Sequence, residues 1–127
     1  MSGSHDQHFR SALAVFGMTP ESIGSFVDGR IRAGEGETVT VFNSTTGRPL
    51  YDYADAGPAL AAEAAATAQA AQGAWAAKTG AARGRIMQAI ARAIADKVET
   101  LAVLESLSAG KPIRDTRVEV AKVVEMF

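Results

Sequence analysis

The sequence contains no cysteine in its 127 residues. That excludes disulfides, thiolate metal sites and a cysteine nucleophile within the chain. Histidine is scarce: the two present, His5 and His8, both lie near the N-terminus. A Ser–His–Asp constellation therefore has no histidine to serve it, and no His-Glu-x-x-His occurs. An excess of one charge is also lacking. The net charge is -1, so nothing electrostatic draws the chain to nucleic acid or an anionic membrane. No run reaches the roughly 18 apolar residues of a bilayer span. The start, Met1 to His8, lacks the basic head and apolar run of a signal peptide. The expected setting is the cytoplasm.

Glycine is plentiful, but no Gly-x-Gly-x-x-Gly follows a strand and opens a helix. Gly34-Glu35-Gly36 reads as a turn, and Gly110-Lys111-Pro112 lacks the upstream glycine and following hydroxyl of a phosphate loop. His5 and His8 are spaced by three with no third ligand beside them, so they read as a solvated tail rather than a metal pair. Glu99 and Glu105 read as solvent-facing carboxylates. Arg83, Arg85 and Arg92 are followed by Asp96, Glu99 and Glu105, which describes a mixed, solvated face.

The composition, 47% hydrophobic and 21% charged, is that of a folded domain with a modest core. Residues 1–22 are polar at first and weakly helical around Phe9–Phe16, and with Gly17, Pro20 and the nearby Gly24 as punctuation they read as a flexible arm with one short helical turn. From residue 23 the pattern becomes β. Asp28-Gly29 between apolar neighbours predicts a type I′ hairpin turn. Thr38–Phe42 alternates β-branched residues, and Leu50–Tyr53 predicts a third strand after a turn at Asn43–Gly47. A small antiparallel meander is expected.

Helices follow. Pro58 suits a first helical position, and alanine dominates up to Ala77. Leu60, Ala64, Ala68, Ala71 and Trp75 mark one face of that helix, and Thr79 is placed to cap the next. Ile86, Ile90, Ile94 and Val98 line a helix over 81–97. Leu101, Leu104 and Leu107 line a third, ended by Gly110. The last helix starts either near Pro112 or at Thr116, where Thr116-Arg117-Val118-Glu119 resembles a capping box. Its stripe is Val120, Val123, Val124 and Phe127, and it runs into the last residue without a cap, as a cut chain would.

Six pieces stand in a set order: Phe26-Val27-Asp28-Gly29-Arg30; Asn43-Ser44-Thr45-Thr46-Gly47; the alanine run into Trp75; Ala82 to Ile86; Leu104-Glu105 with Gly110-Lys111-Pro112; and Val123 to Phe127. Their order and spacing over residues 25–127 resemble the opening of the NAD(P)-dependent aldehyde dehydrogenase superfamily. The resemblance implies an α/β fold, the N-terminal portion of a Rossmann-like cofactor-binding domain, with short antiparallel strands followed by about four helices. It implies that residues 23–127 stop before the dinucleotide loop and the catalytic domain.

The parent activity implied is oxidation of an aldehyde to a carboxylic acid with NAD or NADP. A cysteine thiohemiacetal transfers hydride, and a glutamate activates water. No catalytic or cofactor-binding residue of that scheme falls in this chain, which is expected to be inactive alone and to bind no cofactor. Val41 and Phe42 fall where family members offer carbonyls to a monovalent cation. The family's aspartate there falls on Ser108, which removes the strongest oxygen ligand. Lys122 falls on the helix bordering the family's substrate tunnel, though a solvated lysine reads equally well. Ser44 stands where the family often has proline. The expected partners are an aldehyde for the parent, and the remainder of the enzyme or a second copy for this chain. A non-catalytic helical interaction module or pseudoenzyme fragment is the other reading.

Overall fold

The computed structural model describes residues 3–127, with side chains from His5 onward. Among the described residues, five helices and four strands run in the order α1 (Gly3–Ala14), β1 (Ser25–Val27), β2 (Arg30–Arg32), β3 (Thr38–Phe42), β4 (Pro49–Ala54), α2 (Gly57–Ala76), α3 (Gly80–Ala95), α4 (Val98–Ala109) and α5 (Ile113–Met126). A 3-10 turn, Pro20–Ser22, precedes β1.

The segment expected as a flexible arm instead forms α1, a 12-residue helix. Phe9, Ala12 and Leu13 are buried, and they recur at spacings of three and four on one face. That face lies on α4 and β4. The Phe9 ring stacks on Tyr51 with centroids 5.2 Å apart and planes 6° apart, and burial pushes the Tyr51 phenol above its ordinary pKa. Gly17 then turns the chain with φ at 68°.

The expected meander is two separate hairpins. In the first, Asp28 (φ 52°) and Gly29 (φ 74°) carry the paired positive φ of a type I′ turn, and Phe26 pairs with Ile31. β3 pairs with β4, with an irregularity between Val41 and Phe42. β2 cannot continue into β3 because Gly34–Gly36 crosses the end of β4. The Gly36 N–H donates to the Asp55 carbonyl at 2.8 Å. A Cβ on Gly34 would lie 1.9 Å from that oxygen, so the crossing requires glycine.

The helical half stacks α1 on α4, α4 on α5 and α5 on α3. Ala102 on α4 and Thr116 on α5 are both 0% exposed, which lets these helices meet closely. Thr79 caps α3 as expected, its Oγ1 accepting from the Ala82 N–H at 3.2 Å. The final helix starts at Ile113, and Thr116 is no cap: its hydroxyl serves the packing of α4 and α5. α2 stands apart. Of its apolar stripe only Leu60 is buried, and Glu63 reaches Arg32 on β2 at 2.7 Å.

Candidate functional site

Of the positions singled out by resemblance, Ser44 lies where the hairpin turn after β3 meets the end of α4, and Lys122 lies apart on α5. Asn43 organises the turn. Its Oδ1 accepts from the N–H of Thr45 at 2.9 Å and of Thr46 at 3.1 Å, the local bonding for which asparagine is favoured in turns. Its own N–H donates to the Arg48 carbonyl at 2.8 Å. The residue is 1% exposed, so these bonds replace water.

The other wall is the end of α4. Gly110 takes the left-handed conformation, φ 73° and ψ 14°, and its N–H donates to the Ser106 carbonyl at 3.0 Å. A Cβ on Gly110 would sit 2.6 Å from the Ser44 Cβ. Turn and helix end are thus in direct contact, with Phe42 two residues before Ser44 and Ser108 two before Gly110. Val41 is half-buried and Phe42 exposed.

Ser108 lines a groove of about 520 Å³ between α3, α4 and α5, with Ile94, Leu101, Leu104, Val120 and Val123. Glu105 also borders it, but its carboxylate binds the Lys111 Nζ at 2.8 Å. Lys111 binds Glu119 as well. Hydrogen bonds, first to Glu105 and then to Glu119, hold the Lys111 ammonium above its ordinary pKa. The bond from Lys111 likewise holds the Glu119 carboxyl below its usual value. Among the side chains lining this groove, the oxygen-bearing groups are thus the Ser108 hydroxyl and the Glu105 carboxylate, which is paired with Lys111.

Lys122 is exposed on α5. Its neighbour Val123 faces the groove. Among the described residues, no group of three or more His, Cys, Asp or Glu could hold a metal. His5, expected in a solvated tail, is half-buried, with its Nδ1 3.3 Å from the Asn43 Nδ2. The described residues contain no parallel sheet. Both sheets are two-stranded and antiparallel, whereas a dinucleotide is held where a parallel strand feeds a glycine-rich loop and a helix N-terminus. Among the described residues, no helix is long and apolar enough to cross a membrane.

Sequence reasoning missed His5, Thr116 and the depth at which Asn43 is buried. Only the spacing of Phe9 and Leu13 signals that α1 packs.

Residues 31–127 match the aldehyde dehydrogenase family. The chain belongs to that family. Its mixed α/β fold is the N-terminal part of an aldehyde dehydrogenase domain. The solved structure of HpcC from Thermus thermophilus superposes with a TM-score of 0.82 at 28% identity, covering 98% of this chain and 24% of that one. Betaine aldehyde dehydrogenase of Agrobacterium fabrum (strain C58 / ATCC 33970) is 38% identical over 94 residues, 72% of this chain and 19% of the relative. That of Rhizobium etli (strain CIAT 652) is 35% identical over 92 residues, 72% of this chain and 19% of the relative. The chain thus spans about a fifth of the length of the curated relatives it matches.

Proposed function

We propose that this chain supplies the opening hairpins and helices of an oxidoreductase that converts an aldehyde to a carboxylic acid with NAD or NADP. In this reading the cysteine forming the thiohemiacetal, the water-activating glutamate and the dinucleotide loop belong to a longer polypeptide or a second one. The chain alone turns over nothing, because it carries no thiol and the thiolate is the nucleophile of that chemistry. The setting proposed is the cytoplasm.

The observation that carries the reading is the family match over residues 31–127. The surface supports the need for a partner. The chain presents 8371 Å² to solvent, whereas a compact protein of 13.2 kDa presents about 6,400 Å². The difference, about 2,000 Å², is of the order that a permanent interface covers on each partner. Large apolar side chains are among the exposed ones: Phe26 is 74% exposed and Met126 81%, and Ile86 and Ile90 on α3 are each 38% exposed. The proposed partner is the remainder of the enzyme, with self-association when that is missing. Lys122 is proposed to face the distal end of the aldehyde once the enzyme is whole. Val41 and Phe42 are proposed to offer carbonyls to a monovalent cation only if another oxygen replaces the carboxylate that Ser108 lacks.

The test is an intact-mass measurement of the native protein in its source cells, paired with assay of the pure chain for reduced nicotinamide. Betaine aldehyde, named in the relatives, heads the aldehyde panel. A native mass several times 13.2 kDa with aldehyde-dependent reduction of NAD or NADP, and none from the pure chain, is expected. Turnover by the pure chain would overturn the proposal. A native, monodisperse species near 13.2 kDa would favour a non-catalytic helical interaction module, the reading that the absence of cysteine also allows.

A further inference from the structure

We propose that the corner between α2 and α3 is a hinge and that Arg83 is its lock. With its guanidinium seated on the end of α2, the two helices keep one angle. When the guanidinium leaves, α2 is free to tilt. The device is independent of the chemistry proposed above.

Packing does not set this angle. The helical stack of α1, α4, α5 and α3 does not include α2. Only Leu60 of α2 is buried, and it lies 16 residues from Ala76, about 24 Å along the helix. The ion pair of Glu63 with Arg32 sits towards that same end. There the chain leaves β4 and enters α2 at Gly57, with φ at 70°. α2 is thus a rod fastened near its start, and its far end meets α3 through three residues, Ala77, Lys78 and Thr79. A Cβ on Gly73, in the last turn of α2, or on Gly80, the first residue of α3, would meet nothing within 4 Å. The corner therefore has room on both sides. Glycine is also a poor helix former, so both helices are soft where they meet.

Most bonds at the corner stay on one side of it. The Ala77 N–H donates to the Gly73 carbonyl at 3.0 Å and the Lys78 N–H to the Trp75 carbonyl at 3.2 Å, which close α2. The Thr79 Oγ1 accepts from the Ala82 N–H at 3.2 Å, which opens α3. Arg83 reaches both sides. Its backbone N–H donates to the Thr79 carbonyl at 3.0 Å, in the first turn of α3. Its Nη1 reaches back and donates to the Lys78 carbonyl at 2.5 Å and the Ala76 carbonyl at 3.5 Å. The last carbonyls of a helix have no partner within it, and they form the negative end of its dipole, which favours a cation. One residue thus holds the start of α3 with its backbone and the end of α2 with its side chain. Both side-chain bonds are exposed, so water competes for the same carbonyls. The lock therefore opens without unfolding either helix.

The absence of cysteine lets two spin labels be placed at will. Ala66→Cys on α2 and Ala93→Cys on α3 put them at exposed positions away from the corner. Electron–electron double resonance of the full chain then reads the distances between them. One narrow distance is expected with Arg83 intact. Arg83→Gln should lose it and give a broad, shifted distribution, while the helical circular dichroism stays that of the labelled parent. Arg85→Gln removes an arginine from the same helix and should keep the narrow distance. A narrow, unshifted distance in Arg83→Gln would overturn the lock, as would a broad distribution in the parent or equal broadening in Arg85→Gln. Nitrogen NMR of the unsubstituted chain is independent of any variant's folding. Slower rotation of the Arg83 guanidinium than of the Arg85 guanidinium supports the lock, and equally free rotation of the two excludes it.

Discussion

The hydroxyl of Thr116 on α5 donates to the backbone carbonyl of Ala102 on α4 at 3.0 Å, at a point where neither residue is exposed at all. The same oxygen lies 3.1 Å from the Ile113 carbonyl. Thr116→Val keeps the shape and removes the donor, so it should cost about 1 to 2 kcal/mol. The measurement is the urea midpoint followed by circular dichroism. A midpoint unchanged from wild type would mean that this bond does not help hold the two helices together.

Gly110→Ala should be costlier than an exposed glycine replacement. The site has φ at 73°, and the new methyl would lie 2.6 Å from the Ser44 Cβ. Backbone strain of this kind costs about 1 to 3 kcal/mol. Ser44→Gly in the same chain should recover the steric part and leave the conformational part. Thermal unfolding of the single and double variants separates the two.

Asn43→Ala removes the oxygen that accepts from the Thr45 and Thr46 amides at a position that is 1% exposed, and should cost about 1 to 3 kcal/mol. Denaturant unfolding reads the loss, and a midpoint equal to that of wild type would mean that the turn holds without these bonds.

Hydrogen bonds lower Glu119 through Lys111 and Glu99 through Arg117. A carboxyl held below its ordinary value stabilises the fold above that value, 4.5 for these groups, and the contribution is lost as pH falls through the folded-state value. Lys111, held above its ordinary value, stays charged throughout this window. Stability should therefore drop as pH falls below the ordinary value of 4.5, less steeply in Lys111→Met. All these groups are solvent-screened, so added salt should flatten the curve. Equal acid limbs in variant and wild type would dissociate Lys111 from the effect.

Local chemistry is legible in the sequence where one residue type decides a conformation. Asp28-Gly29 announces its turn, Gly110 its helix end and Thr79 its cap. Expectation fails where distant segments compete. Nothing local tells that Gly34 runs across the Ala54–Asp55 backbone, so two hairpins read as one meander. Thr116 fits a capping box in sequence, but the close approach of Ala102 claims its hydroxyl. Phe9 and Leu13 sit among polar residues that suggest an arm, yet two buried side chains and a stacked ring suffice to seat α1. The meeting of Ser44 with Gly110 joins residues 66 apart in sequence, which no periodicity encodes.

α2 packs on no other helix, whereas α1, α3, α4 and α5 pack on one another. Eleven of its 20 residues are alanine, only Leu60 is buried, and its link to the first hairpin rests on Glu63 and Arg32, 31 residues apart. Its shape is therefore set by propensity rather than by packing. A helix of this length relaxes in about 0.1 to 1 μs, well before contacts between remote segments are found. α2 should therefore gain helix before the remote contacts form, and a remnant of helical signal should outlast the loss of the Phe9–Tyr51 stack.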